Sequence, residues 1–213
     1  MISPCESSLH FSACYVYSPR GVSPAAKGSR RLRERLKGCD AQWLARYAMR
    51  VHEQAVGQCR YEDFFGSDVI LVPVPRSVPS SCETSWAAGQ LALALQQQGL
   101  AAAVWTGLRR HCAVRKSATA PHVARPTVAE HYDSFVVESS LRAPGRIVLV
   151  DDVVTRGRTL LAASMRMRER FPCAQLTAFA LLRTLGLVPD IAQLVDPCQG
   201  AITWTGGDAR RNP

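Results

Sequence analysis

The segment that most constrains this chain runs Arg146-Ile147-Val148-Leu149-Val150-Asp151-Asp152-Val153-Val154-Thr155-Arg156-Gly157-Arg158-Thr159-Leu160. Ile147 to Val150 is apolar without alternation, which predicts a strand buried on both faces of a parallel sheet. Asp151 and Asp152 follow at the carboxyl end of that strand, where open α/β sheets bind their ligands. Thr155 to Thr159 then wraps the start of an amphipathic helix. Free backbone N–H groups, two hydroxyls and the positive end of a helix dipole make a cradle for phosphate there. Gly157 permits close backbone approach. Carboxylates suit sugar hydroxyls, so the pair and the cradle together predict a sugar-phosphate site. A buried strand that simply ends in a solvated acidic turn leaves the Thr-x-Gly-x-Thr spacing unexplained.

A second apolar run, Val69 to Pro75, is closed by prolines and predicts another buried strand. Arg76 and Ser77 follow it. Thr84 to Gln98 reads as a helix with Gly99 just past its end. Ala101 to Trp105 reads as a short strand, Tyr132 to Val137 as another, and Gln175 to Leu182 as a buried one. Helices are expected near Ser29–Leu36, at Ala41–Ala55 behind an Asp40 N-cap, and at Thr159–Phe171 ahead of Pro172. Residues 1–12 are expected to be a poorly ordered end, and the last residues, past Gly206-Gly207, a mobile tail. Between Leu108 and Glu130 the chain is basic and polar with little periodicity. A long segment of that kind in a compact domain is expected to be a lid or a disordered stretch. Strands alternating with helices predict a parallel α/β sheet.

The Asp-Asp stretch resembles the phosphoribosyl pyrophosphate (PRPP) motif of type I phosphoribosyltransferases: apolar strand, two acidic residues, two small apolar residues, then Thr-Thr-Gly-x-Thr. Arg156 stands where that family has its second Thr. Val-Pro-Val-Pro at 72–75, the helix after it and the pattern Arg125-x5-His131-x3-Phe135 resemble the ComF-type branch, over roughly residues 69–182. The chain departs from that branch in lacking a four-cysteine zinc module and an Arg-Gly-Phe-Asn segment. The resemblance implies a Rossmann-like type I phosphoribosyltransferase fold with a flexible hood at 116–132. It implies that Asp151 and Asp152 meet the ribose, directly or through water on Mg²⁺, and act as the catalytic and metal-binding pair. Val153, Val154, Thr155, Arg156, Gly157, Arg158 and Thr159 then bind the 5′-phosphate. Arg76 and Ser77 take the pyrophosphate, and Arg115, Lys116 and Arg125 close the hood. The implied cofactor is Mg²⁺ and the implied substrates are PRPP and an unidentified acceptor, with a homodimer as the family's common assembly.

The chain has 213 residues, 47% of them hydrophobic, enough for one α/β unit. Residues 1–60 are read as an N-terminal extension packed on a phosphoribosyltransferase-like domain at 61–213. The first residues carry no charged leader or apolar core, and no apolar run approaches the length of a membrane span, so a cytoplasmic protein without a membrane partner is expected. The eight cysteines form no Cys-x-x-Cys pair and are expected as reduced thiols. No hydrolase elbow or Walker loop is present. The net charge of +9 permits nucleic acid as a partner. The run Arg30 to Lys37 reads first as a solvated basic face and second as an anion contact. The function expected is PRPP-dependent phosphoribosyl transfer to a nitrogen nucleophile. The alternative is a sensor of PRPP or nucleotides without turnover, acting through a protein or nucleic-acid partner. A decayed scaffold is the third reading.

Overall fold

The computed structural model describes residues 8–58, 61–79, 86–115, 125–140, 143–186 and 188–213. In chain order the elements are β1 (Ser8–Tyr17), α1 (Pro24–Lys37), α2 (Ala41–Gln58), β2 (Gly66–Pro73), α3 (Ala87–Gln97), β3 (Ala101–Val104) and β4 (Leu108–Arg110). They continue with α4 (Val128–Ser134), β5 (Phe135–Val137), β6 (Arg146–Val154), α5 (Arg158–Arg170), β7 (Gln175–Thr184), β8 (Val195–Trp204) and β9 (Ala209–Asn212).

Seven strands form one sheet in the order β3-β2-β6-β7-β1-β8-β9, and β4 and β5 form a separate two-stranded ribbon. β3, β2, β6, β7 and β1 run parallel; β8 and β9 close the far side antiparallel. The molecule is thus mixed α/β with a mostly parallel sheet, compatible with a Rossmann-like arrangement. The unalternating sequence of β6 has a simple cause. Ile147 and Leu149 face one core, with Leu160, Leu161 and Met167 of α5. Val148 and Val150 face the other, with Leu32 and Leu36 of α1, Val51 of α2 and Leu91 and Leu95 of α3. Full burial of each such side chain stabilises by about 1.5–3 kcal/mol.

The connections fix the ligand edge. From β2 the chain crosses through α3 to β3 on one side; from β6 it crosses through α5 to β7 on the other. Right-handed crossovers in opposite directions put the two helices on opposite faces. The sheet therefore has its switch point between the carboxyl ends of β2 and β6, and a crevice opens there. A backbone bond from Val74 N–H to the Val150 carbonyl, 2.9 Å, joins the two strands just below it.

Four expectations are corrected. Residues 8–12 are no loose end: they open β1, an interior strand paired with β7 on one side and β8 on the other, which runs on through Tyr17. The C-terminal residues form the β8–β9 hairpin, with Ala209 buried against the core. Residues 132–134 are the end of a helix rather than the start of the strand, which is confined to Phe135–Val137; α4 is started at Val128 by a reciprocal capping box between Thr127 and Glu130. Finally, β6 runs on to Val154 in register with β7, so both aspartates sit within the strand instead of beyond it.

Candidate functional site

The last residues of β6 carry Asp151 and Asp152 to the crevice. Asp152 turns toward α1. Lys37, the last residue of that helix, forms an ion pair with its Oδ2. The basic run thus contributes a residue to the site, which sequence spacing alone does not reveal. Asp151 lies within electrostatic reach of the buried Arg110 of β4 and within hydrogen-bonding reach of Asp152. Asp151 Oδ1 also accepts from the Asp152 backbone N–H at 2.8 Å.

Burial, followed by the neighbouring Asp152 charge, pushes the Asp151 carboxyl well above the usual carboxylate range. For Asp152 burial pushes the same way. Lys37, a hydrogen bond with Asp151 and the Val153 amide outweigh it and hold the carboxyl below its ordinary value. The pair is therefore asymmetric: Asp152, beside Lys37, holds its proton less tightly than Asp151 does.

After Val154 the chain turns through Thr155 and Arg156, both exposed, into Gly157. Gly157 has φ +84° and occupies the cap position of α5 with no side chain capping the helix. A Cβ there would lie 2.6 Å from the Ile202 side chain, so both the backbone conformation and the space demand glycine. The Thr159 hydroxyl lies 3.3 Å from Nε2 of His131. Arg156 and Arg158 both turn to Asp208, in the turn between β8 and β9. Arg158 foremost pulls the Asp208 carboxyl down to about 2.

A buried polar network links the two sides of the crevice. Nη2 of Arg110 lies 3.1 Å from Nδ1 of His131, and its Nη1 donates to Ser134 Oγ. Its Nε donates to the Arg76 carbonyl at 2.8 Å, and its guanidinium covers the Phe135 ring at 4.1 Å. These acceptors are all neutral. Burial pushes Arg110 down to about 10, with Asp151 pulling it back up. Burial and the Arg110 charge push His131 down to about 4, so its ring is neutral at physiological pH. Neither residue was among the expected binding residues. His131 stands in the Arg125-x5-His131-x3-Phe135 pattern, and Arg110 in the basic stretch from Leu108 to Glu130.

The remaining expected residues divide. Arg76 is exposed at the end of the β2 loop, and its charge, with that of Lys37, acts on Cys39 beside Asp152. The Ser77 carbonyl accepts from Val114 N–H at 2.8 Å, which anchors this loop to the segment after β4. Arg115 is engaged with Glu130 at 2.7 Å, away from the carboxylate pair. The Arg125 carbonyl accepts from Arg158, 3.4 Å. Lys116 and residues 117–124 of the expected hood lie outside the described residues.

Two adjacent carboxylates are hard oxygen donors of the kind that hold Mg²⁺ together with substrate oxygens. Among the described residues no group of three or more His, Cys, Asp and Glu is arranged to hold a metal without such help. Nor, among them, is any helix long and apolar enough to cross a membrane. No protein-family model matches this chain, and comparison with curated proteins finds no match.

Proposed function

We propose that this chain is a PRPP-dependent phosphoribosyltransferase of the type I fold, with a nitrogen nucleophile as acceptor. The observation that carries the reading is the sequence of events at the switch point. A buried strand delivers two carboxylates of unequal proton affinity, and five residues after the second a left-handed glycine opens an uncapped helix. That order puts groups suited to sugar hydroxyls a few residues ahead of a helix start suited to phosphate.

In this reading Asp152, kept ionised by Lys37, accepts from a ribose hydroxyl. Asp151, with its raised affinity for a proton, donates to another. Thr155 to Thr159 receive the 5′-phosphate. Arg76 and Lys37 stand on the pyrophosphate side, with Arg110 behind them as a buried positive charge. Asp151 and Asp152 would hold Mg²⁺ together with the substrate's own oxygens, and the ion would supply charge neutralisation for pyrophosphate. The protein's part is positioning and electrostatics: displacement at C1 passes through a cationic ribosyl group, and preorganised carboxylates stabilise it.

The test is calorimetric titration of PRPP with Mg²⁺ into the wild type and an Asp151→Asn/Asp152→Asn double variant. A screen of bases and amines for pyrophosphate release follows. Saturable binding lost in the variant supports the ribose-phosphate site. Folded wild type that binds no PRPP overturns the proposal. Binding without pyrophosphate release from any acceptor favours the sensor reading.

A further inference from the structure

Asp208 holds both cationic side chains of the loop that the preceding reading gives to the 5′-phosphate. Nη2 of Arg158 donates to its Oδ2 at 2.7 Å while Nε of the same guanidinium donates to Oδ1. Arg156 Nη1 reaches Oδ2 at 3.0 Å. The carboxylate thus occupies a guanidinium fork edge-on and is shared with a second guanidinium. A phosphate monoester is bound by such pairs in the same way.

The turn that presents Asp208 is built for one orientation. Thr205 N–H donates to the Asp208 carbonyl at 2.9 Å, and Ala209 N–H donates to Asp208 Oδ1 at 2.7 Å. Gly206 and Gly207 take φ +78° and +154°, which glycine alone adopts without strain. The arginines are not sealed off: Arg156 is 47% exposed and Arg158 17%. Arg158 also donates to the carbonyls of Arg125 and Pro126, 3.4 and 3.2 Å. One guanidinium therefore joins the loop, the β8–β9 turn and the residues ahead of α4.

We infer that Asp208 is a built-in competitor for the phosphate site. A phosphate monoester engages Arg156 and Arg158 only by exchanging with the Asp208 carboxylate, and its arrival releases the 205–208 turn. This inference rests on residues 155–159 being the phosphate loop. An internal carboxylate is always present at high effective concentration, so it lowers apparent affinity by the fraction of molecules it occupies. It sets a threshold against weakly bound monoanions while a dianion, with one more charge and one more oxygen, exchanges in. Emptying of the site returns the turn to its closed position.

The experiment titrates inorganic phosphate and ribose 5-phosphate into the full chain, wild type and Asp208→Asn, at fixed ionic strength, with circular dichroism as the folding control. Hydrogen exchange over residues 203–211 is read with and without phosphate. The expected result is roughly fivefold tighter phosphate binding by Asp208→Asn. Exchange in the wild-type turn should also become faster when phosphate binds. Equal or weaker binding by the variant overturns the inference, because Asp208 is then a brace that aims the arginines. If neither protein binds phosphate, the phosphate-loop reading itself falls and the inference with it. Should Asp208→Asn fail to fold, the wild-type exchange measurement decides alone: protection of the turn unchanged by bound phosphate overturns the inference.

Discussion

Lys37 closes the last turn of α1 directly on the carboxylate of Asp152, and so divides the charge of the aspartate pair. The ammonium is half-exposed while the carboxylate is nearly buried, so the pair falls between a surface ion pair and an interior one. Lys37→Met should cost about 1 kcal/mol at neutral pH, the upper end for exposed pairs. The sign with pH is fixed by the depressed pKa of Asp152. Its contribution is present above the unfolded carboxylate pKa and is lost as pH falls through the folded value. Without Lys37 the acid limb of a melting-temperature profile should move to higher pH; an unmoved limb would show that Lys37 does not hold Asp152 ionised.

Asp151 has the opposite sign. Its folded pKa is raised by burial and by Asp152, so the folded chain holds this proton more tightly than the unfolded chain does. That part of stability declines as pH rises above about 4, where an unfolded aspartate ionises. Asp151→Asn keeps the shape and both hydrogen-bonding roles without the charge. It should raise stability at neutral pH, and the gain should vanish below about pH 4. Urea unfolding of the two proteins at pH 3.5 and 7.5 measures the difference.

His131 predicts a separate acid-sensitive window. An unfolded histidine protonates near 6.5, while this one is held down to about 4 by burial and by Arg110. The stability it contributes is complete above pH 6.5 and is lost as pH falls toward 4. The gap of 2.5 units corresponds to about 3 kcal/mol at most. His131→Asn, whose amide keeps an acceptor for Arg110, should be less stable at pH 7 yet show a flatter profile between pH 6.5 and 4. Denaturant midpoints across that range decide it; equal slopes would place the acid sensitivity elsewhere.

Gly157→Ala combines a left-handed backbone with a collision against Ile202, whose side chain is fully buried. The backbone conformation alone costs an alanine about 1 kcal/mol, and the collision adds roughly 1–2 more. In an Ile202→Ala background only the conformational part should remain. A double-mutant cycle of thermal unfolding would reveal the coupling, and additive effects would mean that β8 does not press on the loop.

How much of this was legible in the sequence follows from the physics of each segment. β2, β6 and β7 announce themselves because strands buried on both faces must be continuously apolar. The Asp-Asp-to-Gly157 order was equally readable, since it is local. The apolar run nevertheless stopped too early as a guide to the end of β6. Val153 and Val154 continue the strand, and the pairing of Val153 with Leu182, which lies in a distant segment, settles the matter. α4 spans only Val128–Ser134, too short to show a helical period; its one local signal was the Thr127-x-x-Glu130 box. β8 contains Asp196, Pro197 and Gly200, and its propensity argues against a strand. It is held by β1 and β9 on either side. The contacts of Lys37 with Asp152 and of Asp208 with Arg158 join residues far apart in the chain, and no periodicity encodes such pairs.

The interior position of β1 has a consequence for how the molecule comes into being. Phe11 is matched to Ala178 and to Gly200, so β1 must wait for partners made much later in the chain. During vectorial synthesis its apolar residues, Leu9, Phe11, Ala13 and Tyr15, remain without their sheet neighbours until nearly all of the described chain has emerged. Such long-range pairing slows folding and exposes an aggregation-prone edge in the interim. The aspartates of β6 reach their final setting only when β7 is seated against β1. Assembly of the crevice is therefore a late, all-or-none event, and a ribosome-stalled fragment ending before β7 should hold the motif without the site.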